Sequence, residues 1–138
     1  MSHAHPLRFG FLKYIASIAI LLLTSPSMAQ VTFSNTTRTI IELTGPATPY
    51  PSNINVSGLP AVITDVNVTL TGYSHTWPGD VDVVLRSPNG TYVVLMSDTG
   101  ENGTDAANLT YTFDQSVSGG LSPTLTEPSG TYLPTNFG

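Results

Sequence analysis

The side chains best suited to chemistry fall in one stretch, Thr71–Asp98 (TGYSHTWPGDVDVVLRSPNGTYVVLMSD). It contains His75, the sole histidine after residue 5, together with Asp80, Asp82 and Asp98. Residues i and i+2 of a strand project from one face, so Asp80 and Asp82 are expected to present their carboxylates together. Asp98 ends the facing strand, and Glu101, Asn102 and Asp105 follow in a loop that contains glycine. Hard oxygen donors of this kind suit Ca²⁺, which takes about six to eight of them. The metal site expected is therefore Asp80, Asp82 and Asp98, with Ca²⁺ as the fitting ion. The loop is not an EF-hand: with Asp98 as first ligand, Leu109 falls where a bidentate Glu belongs. The competing reading has Asp80 capping the turn after Gly79 and the other acids solvated.

Nucleophilic catalysis needs a Ser or Cys, a base and an orienting acid. The chain has no Cys, and no Gly-x-Ser-x-Gly elbow occurs; Gly120-Leu121-Ser122-Pro123-Thr124 lacks the second Gly. His75 is therefore expected to hydrogen-bond within its own loop, and a free-standing hydrolase is the weakest reading. Trp77 beside Tyr73 and Tyr92 could form a sugar-stacking platform, but a single Trp next to Pro-Gly is expected to seal the end of a sandwich.

These residues need strands to hold them. Val81–Leu85 and Tyr92–Met96 flank Ser87-Pro88-Asn89-Gly90, a turn sequence that predicts a β-hairpin. Val62–Leu70 alternates with period two, Val62, Thr64, Val66, Val68 and Leu70 sharing one face. Asn108–Phe113 repeats the pattern with Leu109, Tyr111 and Phe113 inward. Thr39–Leu43 and Asn53–Val56 are shorter candidates, whereas Gln115–Gly138 reads as mostly loop. Gly and Pro punctuate the gaps, which are too short for crossover helices, so the expected class is all-β, a sandwich or barrel.

Composition limits the function. Charged residues are only 9% of the 138, against roughly 25% in ordinary domains, and solubility falls to Thr, Ser and Asn. A basic region with Arg8 and Lys13, the apolar run Tyr14–Leu23 and the small-x-small site Ser27-Met28-Ala29 predict a signal peptide over residues 1–29. The apolar run is too short to span a bilayer, which needs about 20 residues. The mature chain, 30–138, is therefore expected outside the cell or in a periplasm, with no membrane attachment after cleavage. It keeps Arg38 and Arg86 against nine acids, a formal −7, which excludes binding to nucleic acid or anionic membranes. Six Asn-x-Ser/Thr sequons start at Asn35, Asn55, Asn67, Asn89, Asn102 and Asn108, as a Thr- and Asn-rich composition produces.

The segment Gly72–Asp98 resembles the P domain (P/Homo B domain) of kexin- and furin-like proprotein convertases, most closely the form found in bacterial secreted proteins. The pattern is carried by His75, Gly79-Asp80, Val81–Leu85, Ser87-Pro88-Asn89-Gly90 and Tyr92–Met96. Thr48–Leu59 is similar to the family's opening segment and Gly130–Asn136 to a later one, so the resemblance runs roughly from Val31 to Gly138. It implies a jelly-roll β-sandwich of the galactose-binding-like type. It also implies a non-catalytic module whose partner is a protein, a subtilisin-like protease domain in the convertases. Members continue into further strands with a Gly-x-Trp-type closing motif, so the fold is expected to be C-terminally incomplete. No Gly-Thr-Ser-x-x-Pro nucleophile segment is present. An extracellular adhesion or carbohydrate-binding jelly roll, using Tyr73, Trp77 and the Asp98–Asp105 loop, is the alternative.

Overall fold

Strands form where Val, Leu, Tyr and Thr recur at alternate positions, and stop where Gly, Pro or Asp breaks the alternation. The computed structural model describes residues 30–101 and 104–138. The chain divides into two compact units, Met1–Thr32 and Phe33–Gly138. In the first, only residues 30–32 are described, and they belong to no strand or helix; the expected signal peptide lies outside the described residues. Among the described residues no helix is long and apolar enough to cross a membrane.

The second unit is an all-β sandwich, as expected. Its strands are β1 (Val68–His75), β2 (Val83–Arg86), β3 (Tyr92–Ser97), β4 (Ala106–Phe113), β5 (Gly130–Tyr132) and β6 (Thr135–Asn136). They make two sheets, ordered β1-β4-β5 and β2-β3-β6. In each, an antiparallel pair (β1 with β4, β2 with β3) gains a parallel third strand. A 3₁₀ turn, Pro78–Asp80, leads from β1 toward β2.

One core joins the sheets. Tyr73, Ala106, Tyr111 and Phe113 come from the first sheet, Leu95 and Met96 from the second, and Val81 and Leu121 from connecting segments. Phe113 and Met96 are fully buried, at 1% and 0% exposure. Tyr111 is the hub of the aromatic packing, with ring centroids 5.7 Å from Tyr73, 6.5 Å from Phe113 and 5.6 Å from Tyr132. The edge-to-face geometry of the last two pairs is the arrangement that ring quadrupoles favour.

Outside the hairpin, four strand expectations need correction. The strand expected over Val62–Leu70 begins at Val68 and runs on to His75. Its alternation holds only from Val68 onward, and Val62 and Val66 of the expected inner face are exposed: β4 ends at Phe113, the residue that pairs with Val68, so among the described residues nothing upstream has a ladder partner. There the chain turns away: the Asp114 carboxylate accepts the Ser116 N–H and hydroxyl, each at 2.7 Å, and those bonds hold it below the usual carboxylate range. Thr39–Leu43 contributes a single bridge, Ile40 to Thr48. Pro46, Pro49 and Pro51 lack the N–H groups that would extend it. Asn53–Val56 forms no strand among the described residues and leaves Ile54 and Val56 exposed. Conversely, Gln115–Gly138 supplies β5 and β6, whose few residues give no periodic signal.

Candidate functional site

The hairpin forms, two residues later than expected on its first arm: β2 spans Val83–Arg86, not Val81–Leu85. The Ser87 carbonyl accepts the Gly90 N–H at 3.0 Å, closing the turn, and Gly90 takes φ 93°, the left-handed conformation glycine adopts at no steric cost. Asn89 does not need that conformation. Its side-chain oxygen accepts the Thr91 N–H at 3.1 Å and so belongs to the turn itself.

The shift in β2 separates the acids. Asp80 is the last residue of the 3₁₀ turn and Asp82 precedes the strand, so the shared strand face expected for them does not form. Both are exposed, on either side of buried Val81. Asp98 follows β3 with φ 52°, and its carboxylate accepts the Ser97 hydroxyl at 2.7 Å. Pairing of Val83 with Met96 puts all three acids at the same end of the hairpin. Among the described residues, however, no three His, Asp or Glu side chains converge closely enough to hold a metal ion. Asn102 lies outside the described residues.

His75 is buried at the end of β1. The bulge at Gly72 (φ 73°) and Asn108 (φ 53°) shifts the β1–β4 register and leaves Tyr73 and His75 both facing inward. The ring Nδ1 lies 2.8 Å from the Trp77 carbonyl and 3.1 Å from the Trp77 N–H. A protonated Nδ1 donates to the carbonyl and an unprotonated one accepts the N–H, so either tautomer ties the ring to the Trp77 backbone, while Nε2 is buried with no partner among the described residues. The imidazole therefore pins the loop into the 3₁₀ turn, as the sequence suggested. Among the described residues it bonds to no hydroxyl. Trp77 itself does not seal the sandwich: it is 54% exposed, and buried Pro78 takes that place. Tyr73, buried in the core, is likewise withdrawn from any surface platform.

A family comparison gives this constellation its context. The family model for the proprotein convertase P-domain matches residues 63–132, half of the chain. The chain belongs to the proprotein convertase P-domain family. The match is narrower than the span over which the sequence resembles that family, leaving out Thr48–Leu59 and the residues after Tyr132. No curated protein and no solved structure matches the chain. The family's module is in general a non-catalytic accessory domain.

Within this P domain, Gly79 of the Gly-Asp motif serves a close approach that spacing could not reveal. A Cβ there would lie 2.9 Å from the Glu101 Cα. The facing residues are held in place there, since Gly100 and Glu101 donate their N–H groups to the Ser122 and Pro123 carbonyls at 2.8 and 2.9 Å. Gly79→Ala is accordingly expected to cost about 1–3 kcal/mol, the usual range for overpacking. Urea denaturation measures it, and an unchanged midpoint would contradict the close contact. Away from this end, a groove of about 320 Å³ opens between the sheets, floored by Leu95 and Phe113 and rimmed by Ile63, Val66, Leu85 and Val93.

Proposed function

We propose that the chain is a secreted, non-catalytic accessory module that docks onto a subtilisin-like serine endopeptidase domain and stabilises it. The family match over residues 63–132 carries this reading. Secretion follows from the basic and apolar segments before Gln30. The engagement of His75 with the Trp77 backbone supports a structural histidine, because a catalytic base must be free to meet its nucleophile. The acidity of the mature segment favours a partner surface rich in Arg and Lys, which would steer association.

Co-expression with a subtilisin-like catalytic domain from the same organism tests the proposal. The two are expected to co-purify in equal amounts, with the yield of active peptidase raised several-fold, while the chain alone shows no peptidase activity. Separate elution with unchanged peptidase yield would overturn it. The carbohydrate-binding alternative is not advanced, because its platform loses Tyr73 to the core.

A further inference from the structure

The turn that closes the hairpin carries an Asn-Gly pair, Asn89-Gly90. A backbone nitrogen attacks a neighbouring side-chain carboxamide most readily in this dipeptide, because glycine has no side chain to shield it. Asn89 is exposed and Gly90 half-buried. Hydrogen bonds hold both reacting groups. The Asn89 side-chain oxygen accepts the Thr91 N–H at 3.1 Å, and the Ser87 hydroxyl lies against the same oxygen. That hydroxyl also reaches the Thr91 carbonyl at 2.9 Å, so its single proton serves one acceptor or the other. The Gly90 N–H, whose proton must leave before the nitrogen can attack, is tied to the Ser87 carbonyl at 3.0 Å. A Cβ on Gly90 would lie 3.8 Å from a terminal nitrogen of Arg86, so the guanidinium stands beside the pair. All these contacts are made within Arg86–Thr91.

We propose that Asn89 is a site of spontaneous deamidation and that the closed turn sets its rate. The Gly90 nitrogen gives its proton to hydroxide or water and bonds to the Asn89 Cγ. The Cγ–Nδ2 bond breaks, and the nitrogen takes a proton from solvent and leaves as ammonia. Water then opens the cyclic imide at either of its two carbonyls, leaving a carboxylate. Water is the only co-reactant. With the turn closed, the carboxamide is anchored to Thr91 and the Gly90 N–H to Ser87, so reaction proceeds from molecules whose turn has opened locally. The rate then follows the population of that open form. Opening of the imide at Cγ restores the ordinary main chain and leaves an oxygen for the same two donors, so the turn closes again with a new negative charge beside Arg86. Opening at the backbone carbonyl routes the main chain through the side chain and lengthens the turn by one atom. The Ser87–Gly90 bond of the present turn is lost in that product.

The test holds the protein, purified as its cells produce it, at mildly alkaline pH, in native buffer and in concentrated urea. Peptide mapping by mass spectrometry follows the conversion of amide to acid at Asn89 and separates it from the second Asn-Gly pair, Asn102-Gly103. Conversion at Asn89 is expected in both, several-fold slower in native buffer. Ser87→Ala removes one hydrogen bond from the closed turn, which raises the open population about two- to tenfold. Its native rate is expected to rise by that factor, while its rate in urea matches the wild type. Circular dichroism confirms the fold of the variant, and the wild-type comparison of native and urea rates does not depend on it. Equal native and urea rates in the wild type overturn the proposal. So does a folded Ser87→Ala protein that converts at the wild-type rate, or an Asn89 that stays intact in native buffer while it converts in urea.

Discussion

Phe113→Ala is expected to lower the unfolding free energy by about 3–5 kcal/mol, the range for deleting a buried aromatic ring. Phe113 is almost wholly enclosed, stands edge-on to Tyr111, and pairs with Val68 on one side and Tyr132 on the other. Its loss therefore loosens the ends of both ladders that hold β4. One feature moderates the effect. Phe113 also floors the groove, so solvent and neighbouring side chains can enter part of the space left behind, and a value nearer 3 than 5 kcal/mol is expected. With no disulfide to hold the chain, such a loss is a large share of a total near 5–15 kcal/mol. The melting temperature should fall by about 15 °C or more. Val62→Ala is the control: Val62 is exposed and lies outside any strand, so its change should stay within about 0.5 kcal/mol. Thermal unfolding followed by circular dichroism reads both. A Phe113→Ala protein within 1 kcal/mol of the wild type, roughly the effect of an average substitution, would mean that the two sheets do not share this core.

The core positions of β4 could be read from the sequence because period-two alternation states which side chains share a face. Tyr111 and Phe113 fall on the inward face of that pattern, and they are buried. Alternation does not state where a strand finds a partner. Val62, Ile63 and Val66 have the composition of a strand and remain exposed, because the ladder that recruits β1 is set by where β4 ends. The hairpin turn was equally legible, since Pro88, Asn89 and Gly90 act locally. The start of β2 was not, because the 3₁₀ turn before it is fixed by His75 bonding to the Trp77 backbone. That displacement took Asp80 and Asp82 off a common strand face. The close approach of Gly79 to Glu101 is a tertiary contact, and no spacing rule anticipates it. The family membership, by contrast, was written in the His75–Met96 segment, where short-range turn and strand chemistry dominates.

Alkaline pH should unfold this domain sooner than its composition suggests, because its buried tyrosines resist ionisation. Burial, with the neighbouring Tyr111 second, raises the Tyr73 hydroxyl far above the ordinary value of 10.0. Tyr111 is pushed up to about 12 by burial first, then by Tyr132 and Glu127. Tyr132 shifts in the same direction, by burial and Glu127. In each case the unfolded chain releases its proton near pH 10 while the folded chain retains it. The unfolded state thus binds fewer protons above that pH, and stability falls as pH rises. Below pH 10 these groups contribute no slope. Between pH 10 and 12 Tyr73 alone takes away up to about 1.4 kcal/mol per pH unit. Tyr111 takes less, since its hydroxyl, held up to about 12, ionises in the folded chain as well near the top of that range, and its slope ends there. Substitutions separate the two. The Tyr73 hydroxyl is buried with no partner among the described residues, so Tyr73→Phe should be neutral or stabilising at pH 7 and should flatten the alkaline slope. Tyr111→Phe gives up a hydrogen bond and should cost about 1 kcal/mol at pH 7 while also flattening that slope. Urea midpoints at pH 7 and at steps above 10 measure both terms. An alkaline slope unchanged in Tyr73→Phe would place that hydroxyl in contact with water, and the packing of the three tyrosines about β4 would have to be abandoned.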